Sequence, residues 1–200
     1  MKKYIDKIIN VIIVLIVIGL YVAAAMFIFN DFRERKRKEM ANGIIDKVDE
    51  VITDDDSSPQ TEVSVSYNGV KYTVLGKITI KKIGIYQPIL KENTKGSYNT
   101  ALVKMAGPNL NAYGNVSIGG HNFMNGNYFI KIKRLVNNDV VTITDLSGTS
   151  INYYVYEYGV TSTEDASYLA QPSDKNVKIV TLVTCTVGGK ERYYVKAKAK

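Results

Sequence analysis

The sequence predicts a mainly β domain, a closed barrel or a sandwich, carried behind one N-terminal apolar helix. Three observations predict it. An uncharged stretch of 19 residues runs from Val11 to Phe29, dominated by Ile, Val, Leu, Ala and Phe. From Thr61 onward the texture changes to many short β-rich runs separated by turn residues, the pattern of closed all-β architectures. Between the two lies Asp54-Asp55-Asp56-Ser57-Ser58-Pro59, which breaks any regular element and reads as a linker.

The elements follow in chain order. Residues 8–29 read as a membrane segment behind a short stub, 1–7. At ~1.5 Å per residue the uncharged stretch covers about 29 Å, close to the hydrocarbon thickness of a bilayer. A cleaved signal peptide is the rival reading, with Ala23-Ala24-Ala25 as the cleavage site. Met26-Phe27-Ile28-Phe29 prolongs the apolar run past that cut and favours an uncleaved anchor. Residues 30–60 form a juxtamembrane helix and linker. Met40, Ile44, Ile45, Val48 and Val51 recur at helical spacing, with an interruption expected near Gly43. The remaining residues, 61–200, make the β domain. Val63–Tyr67 and Val70–Val74 flank Asn68-Gly69, a strong hairpin signal because both turn residues tolerate positive φ. Further strands are expected at 77–80, 83–86, 101–104, 115–119, 139–144, 151–158, 178–184 and 192–199. Helical signal is limited to short pieces near 94–99, 126–135 and 163–171.

Charge and cysteine content narrow the function classes. The chain carries a formal net charge of +7, and the excess sits in the β domain. Such a surface suits anionic lipid heads or acidic wall polymers. No nucleic-acid-binding motif accompanies it. Charge also bears on orientation: Lys2, Lys3 and Lys7 precede the apolar segment, whereas Arg33, Arg35, Lys36, Arg37 and Lys38 follow it. Counted alone, these would keep the C-terminal side in the cytoplasm. A single cysteine excludes an internal disulfide, so the fold holds without a staple.

That cysteine and the single histidine each stand at the end of a strand-like run. Cys185 closes Thr181-Leu182-Val183-Thr184-Cys185, and His121 follows Val116-Ser117-Ile118-Gly119-Gly120. A thiol becomes a nucleophile when its proton is removed or its thiolate is stabilised, and an imidazole can do either. Arg192, opening the next run, offers a permanent cation and a fork of donors where an oxyanion would form. Taken singly, each has a plainer reading: a core cysteine, a packed loop histidine, a surface strand cation. The three can meet if strand 115–119 lies beside 178–184 and if 178–184 forms a hairpin with 192–199.

Read together, the local words resemble the sortase family. Thr181-Leu182-Val183-Thr184-Cys185 followed by Arg192 is similar to the family's TLxTC…R signature. Gly120-His121-Asn122 resembles its histidine word, and Lys82-Ile83-Gly84-Ile85-Tyr86-Gln87-Pro88-Ile89 its early Pro-x-Ile-x-Ile segment, with lysine where many relatives have proline. The resemblance covers roughly residues 76–200. It implies a closed sortase-type β-barrel with short helices behind an N-terminal transmembrane helix, a single-pass membrane protein with its catalytic domain outside the cell. It also implies a cysteine transpeptidase that cleaves a C-terminal sorting signal of surface proteins and passes the thioacyl group to an amine of the cell wall. Cys185 would be the nucleophile, His121 the general acid and base, and Arg192 the group that holds the peptide and stabilises the oxyanion. Thr184 and Asn122 would help bind the peptide, Thr184 by shaping the oxyanion site with its backbone or hydroxyl, a simple strand threonine being the plainer reading. Glu164, Tyr168 and Leu169, in the loop Thr161–Asn176, occupy the place where sortases recognise the sorting signal; an ordinary solvated loop is the plainer reading. No cofactor or metal is implied, and the acidic side chains form no evident calcium cluster. The subclass stays open: Asn122 suggests class B, but the stretch before the cysteine strand is too short for that class's long helix. A thiol endopeptidase with the same residues and a pilin-polymerising sortase are the alternatives.

Overall fold

A computed structural model describes residues 2–53, 61–67, 69–122 and 128–200. The expected linker 54–59, the turn residue Asn68 and the start of the helical piece at 126–135 lie outside them. The chain divides into two compact units, Met1–Glu39 and Met40–Lys200. Helix α1 spans Lys2–Thr53 without a break. In the first unit its Ile, Val, Leu and Phe side chains are exposed. It is, among the described residues, the one helix long and apolar enough to cross a membrane.

The helix does not break at Gly43, contrary to expectation. A glycine within a helix costs about 1 kcal/mol relative to alanine, but tertiary packing offsets that here. A methyl group on Gly43 would stand 2.6 Å from Tyr67 Cε2, so the glycine allows the tyrosine ring to close on the helix. The second unit therefore begins with the last turns of α1. There Ile44 and Val48 are fully buried against Val65, Tyr72, Val74 and Leu90. Asp49 adds a polar tie, pairing with Lys77 and accepting from the Tyr86 hydroxyl at 2.6 Å.

The remainder is a nine-stranded sheet closed on itself. Its strands are β1 Val63–Tyr67, β2 Val70–Ile80, β3 Ile85–Leu90, β4 Leu102–Ala106, β5 Gly114–Gly119, β6 Val140–Asp145, β7 Ser150–Ser162, β8 Lys178–Cys185 and β9 Glu191–Ala199. The spatial order is β1-β2-β3-β4-β5-β8-β9-β7-β6, and β2 pairs again with β6 to close an eight-stranded barrel with β1 appended. The helix α2, Lys95–Thr100, precedes β4.

Two boundaries differ from expectation for physical reasons. Strand β2 joins the runs expected at 70–74 and 77–80, because Gly76 (φ 152°) carries the chain through a register shift. A side chain there would meet Thr144 O at 2.3 Å. The strand expected at 83–86 starts later, at Ile85, since Lys81–Ile83 winds into a 3-10 turn ended by left-handed Gly84.

Burial separates the strands by role. Strand β7 alternates between buried and exposed positions, as a half-solvated strand does. Most of β5 and β8 is buried on both faces. These two lie side by side, parallel, with Gly119 level with Val183. Their inward residues, Ile118, Val180 and Leu182, join Ile78, Phe129 and Tyr153 in the barrel core.

Candidate active site

The pairings proposed from strand order are those observed. His121 lies two residues beyond Gly119 and Cys185 two beyond Val183, so the parallel β5–β8 register brings both strand ends to one level. In the antiparallel β8–β9 hairpin, Cys185 stands directly opposite Arg192. The three side chains line one cleft of about 230 Å³.

Within it, Arg192 Nη1 donates to Cys185 Sγ at 3.3 Å. Cys185 is half-buried, neither sealed in the core nor on open surface. His121 packs against Tyr98, ring centroids 5.7 Å apart and planes tilted by 55°. The His121 carbonyl accepts from Phe129 N at 2.9 Å.

Side chains next to the trio lock the two strand ends together. Thr184 Oγ1 donates to Gly120 O at 2.7 Å. Asn122 Nδ2 donates to Cys185 O at 2.7 Å and to Thr186 O at 3.0 Å. Thr184 also lines the cleft, and a second cleft of about 220 Å³ opens beyond Cys185, with Asn122, Lys133 and Tyr193 in its wall.

The loop residues expected to recognise a peptide are placed differently from one another. Tyr168 is buried, its ring stacked on Tyr194 at 5.8 Å. Glu164 is exposed and Leu169 half-buried. None of the three lines either cleft. What ties this loop down is an amide network that sequence reading missed. Asn115 Nδ2 donates to Tyr168 O and Ala170 O, both at 3.1 Å. Thr181 Oγ1 donates to Asn115 Oδ1 at 2.7 Å, and Gln171 Nε2 to Asn115 O at 2.9 Å. This loop is thus fixed to β5 and β8 by polar bonds that are largely buried.

Tyr98 and Met105 were missed as well. Tyr98 comes from α2, and Met105 is the extra residue of an irregularity in the β4–β5 pairing, between Lys104 and Ala106. Such bulges redirect a side chain. Burial and neighbouring Tyr168 push the Tyr98 phenol above its ordinary pKa, against the opposing pull of Arg192. Among the described residues no group of three or more His, Cys, Asp or Glu side chains could hold a metal ion.

A thiol, an imidazole and a guanidinium at the rim of a closed barrel equip the protein for acyl transfer through a cysteine. A family profile, the sortase domain, matches residues 78–200. The Clostridium perfringens sortase D5 transpeptidase is similar at 30% identity, over 82% of this chain and 98% of that one, with a TM-score of 0.59. Sortase A from Corynebacterium diphtheriae shares the fold at 21% identity, over 82% and 84% of the two chains and a TM-score of 0.59. So does a Clostridium perfringens sortase C solved with the C-terminal cell wall sorting motif, at 24% identity over 64% and 70% and a TM-score of 0.57. No curated protein matches the sequence. The chain belongs to the sortase family, whose members are cysteine transpeptidases.

Proposed function

We propose that the protein is a membrane-anchored sortase, with residues 8–29 as a single-pass anchor and the barrel outside the cell. It acts on surface proteins bearing a C-terminal sorting signal. The layout of an apolar helix ahead of a sortase domain supports this arrangement against the Lys and Arg count. The observation that carries the reading is Arg192 Nη1 at 3.3 Å from Cys185 Sγ, with His121 in the same cleft.

In the first half-reaction the Cys185 thiolate attacks a backbone carbonyl carbon of the signal. Arg192 stabilises the oxyanion, the C–N bond breaks, and His121 gives a proton to the leaving amine. In the second, an amine of a cell-wall precursor attacks the thioester carbon. His121 takes the amine's proton, the C–S bond breaks, and an amide forms as the thiolate returns. The match with a class D transpeptidase over 82% of this chain supports that subclass over class B.

Mass spectrometry of the full chain in detergent with candidate sorting peptides tests this. A thioester on Cys185, lost in Cys185→Ala and discharged onto an added amine such as oligoglycine or a diaminopimelate derivative, is the expected result. Hydrolysed peptide alone, with every amine tried, would leave only the thiol endopeptidase reading.

A further inference from the structure

Three features from different elements converge on one end of the cleft. The first is α2, which is short but firmly held. Thr94 caps it by accepting from Ser97 N, and Thr100 Oγ1 donates back to Gly96 O at 2.9 Å. From outside the helix, the Tyr128 hydroxyl donates to Asn99 O and Thr100 O at 3.0 and 3.1 Å. This frame carries Tyr98 into the cleft. The second is the irregularity in β4 that supplies Met105. The third is Gly119 in the floor. A methyl group there would stand 2.7 Å from Met105 Sδ and 2.9 Å from Tyr98 Oη, so both side-chain tips hang directly over the glycine.

The Tyr98 hydroxyl makes no hydrogen bond among the described residues, although the backbone and capping groups of α2 around it are engaged. A phenol with an ordinary pKa of about 10 is protonated at neutral pH, and burial pushes this one higher still, so it presents an O–H donor. Tyr98 lines the same cleft as Cys185, and a peptide bound there has backbone carbonyls that need donors once the cleft removes their water.

We propose that Tyr98 is a substrate-binding residue whose hydroxyl donates to a backbone carbonyl of the bound peptide while its ring bears on His121. The inference rests on the Cys185–His121–Arg192 reading and names a further contact of that site. The donated bond is made in the ground state and in the transition state alike, so its loss acts on binding.

The test is acylation of Cys185 in the full chain, in detergent, by a library of blocked heptapeptides, followed by mass spectrometry. For the peptides that acylate the parent, Tyr98→Phe should need 3- to 10-fold more peptide for half-maximal thioester and reach nearly the parent yield at saturation, an estimate of roughly one neutral hydrogen bond. Tyr98→Leu, which also removes the ring, should lower the saturating rate and shift its pH profile through His121. Alkylation of Cys185 by iodoacetamide at the parent rate in Tyr98→Phe shows that the cleft is intact. Equal peptide requirements in parent and Tyr98→Phe would overturn the inference and leave the reading of Cys185 standing. A parent chain that no peptide acylates would overturn both.

Discussion

Replacing Ile44 by alanine should weaken the second unit although the residue is remote in sequence from every strand. Ile44 is fully buried and shares its cluster with Val48, Val65, Tyr72, Val74 and Leu90. Truncating a fully buried isoleucine to alanine costs about 2–5 kcal/mol, through lost transfer energy and the cavity left behind. In a unit of this size each kcal/mol lowers the melting temperature by about 2–4 °C, so a loss of about 3 kcal/mol predicts a fall of roughly 6–12 °C. Lys47→Ala, one turn along at an exposed position, should stay within about 0.5 kcal/mol of the parent. Thermal unfolding of the full chain in detergent, followed by near-ultraviolet circular dichroism of the tyrosines, reads both. A melting temperature for Ile44→Ala within 1 °C of the parent would show that these turns of α1 only rest on the barrel, and the reasoning from burial would be wrong.

Arg192→Lys should lower the rate of thioester formation about 100-fold or more, because an ammonium cannot reproduce the planar fork of donors; stopped single-turnover mass spectrometry checks it, and near-parent rates would refute the role given to Arg192. Gly119→Ala should cost little stability, since the atoms it meets are the movable ends of Met105 and Tyr98. Displacing those ends into the cleft should raise the peptide concentration needed for acylation, measurable by titration. Asp139 supplies a pH prediction. Burial alone would push its carboxyl up, but the Lys82 ammonium at 2.7 Å and the Val136 N–H hold it below its ordinary value. A carboxyl depressed in the folded state contributes stability that is present above its unfolded pKa of ~3.9 and is lost as pH falls through the folded value. Asp139→Asn should therefore be less stable than the parent at neutral pH, by under about 1 kcal/mol for so exposed a partner as Lys82, and the gap should close below about pH 4 in urea titrations.

What the sequence made legible, and what it hid, divides along physical lines. Strand periodicity and turn residues are local, and they located most of the barrel. The sites of Cys185, His121 and Arg192 followed from them because each ends or opens a strand. Strand β3 runs later than expected and carries Pro88 in its middle. Yet β3 meets β4 only at Ile89 and Leu90, so a residue without an N–H is tolerated there. Gly43 misled for a related reason: its local cost is real, but the Tyr67 ring that justifies it lies 24 residues away. The Asn115 network was equally invisible, since an asparagine, a glutamine and a threonine in three segments carry no shared pattern until the strands pair.

The same distinction explains why the chemistry gathers where it does. In a barrel with both faces of β5 and β8 buried, the interior of those strands has no room for a reacting group, and only their ends reach water. A parallel pair places two such ends together, and an antiparallel neighbour returns a third residue to the same level. Backbone register alone then brings Cys185, His121 and Arg192 to one cleft. Their side chains need no long-range packing of their own. The bonds from Thr184 to Gly120 O and from Asn122 to Cys185 O clamp that register at the point of use. Thr184 and Asn122 thus tie the two strand ends together, while Tyr98 on α2 and Met105 on the irregular edge of β4 reach the same cleft from outside the strand pair.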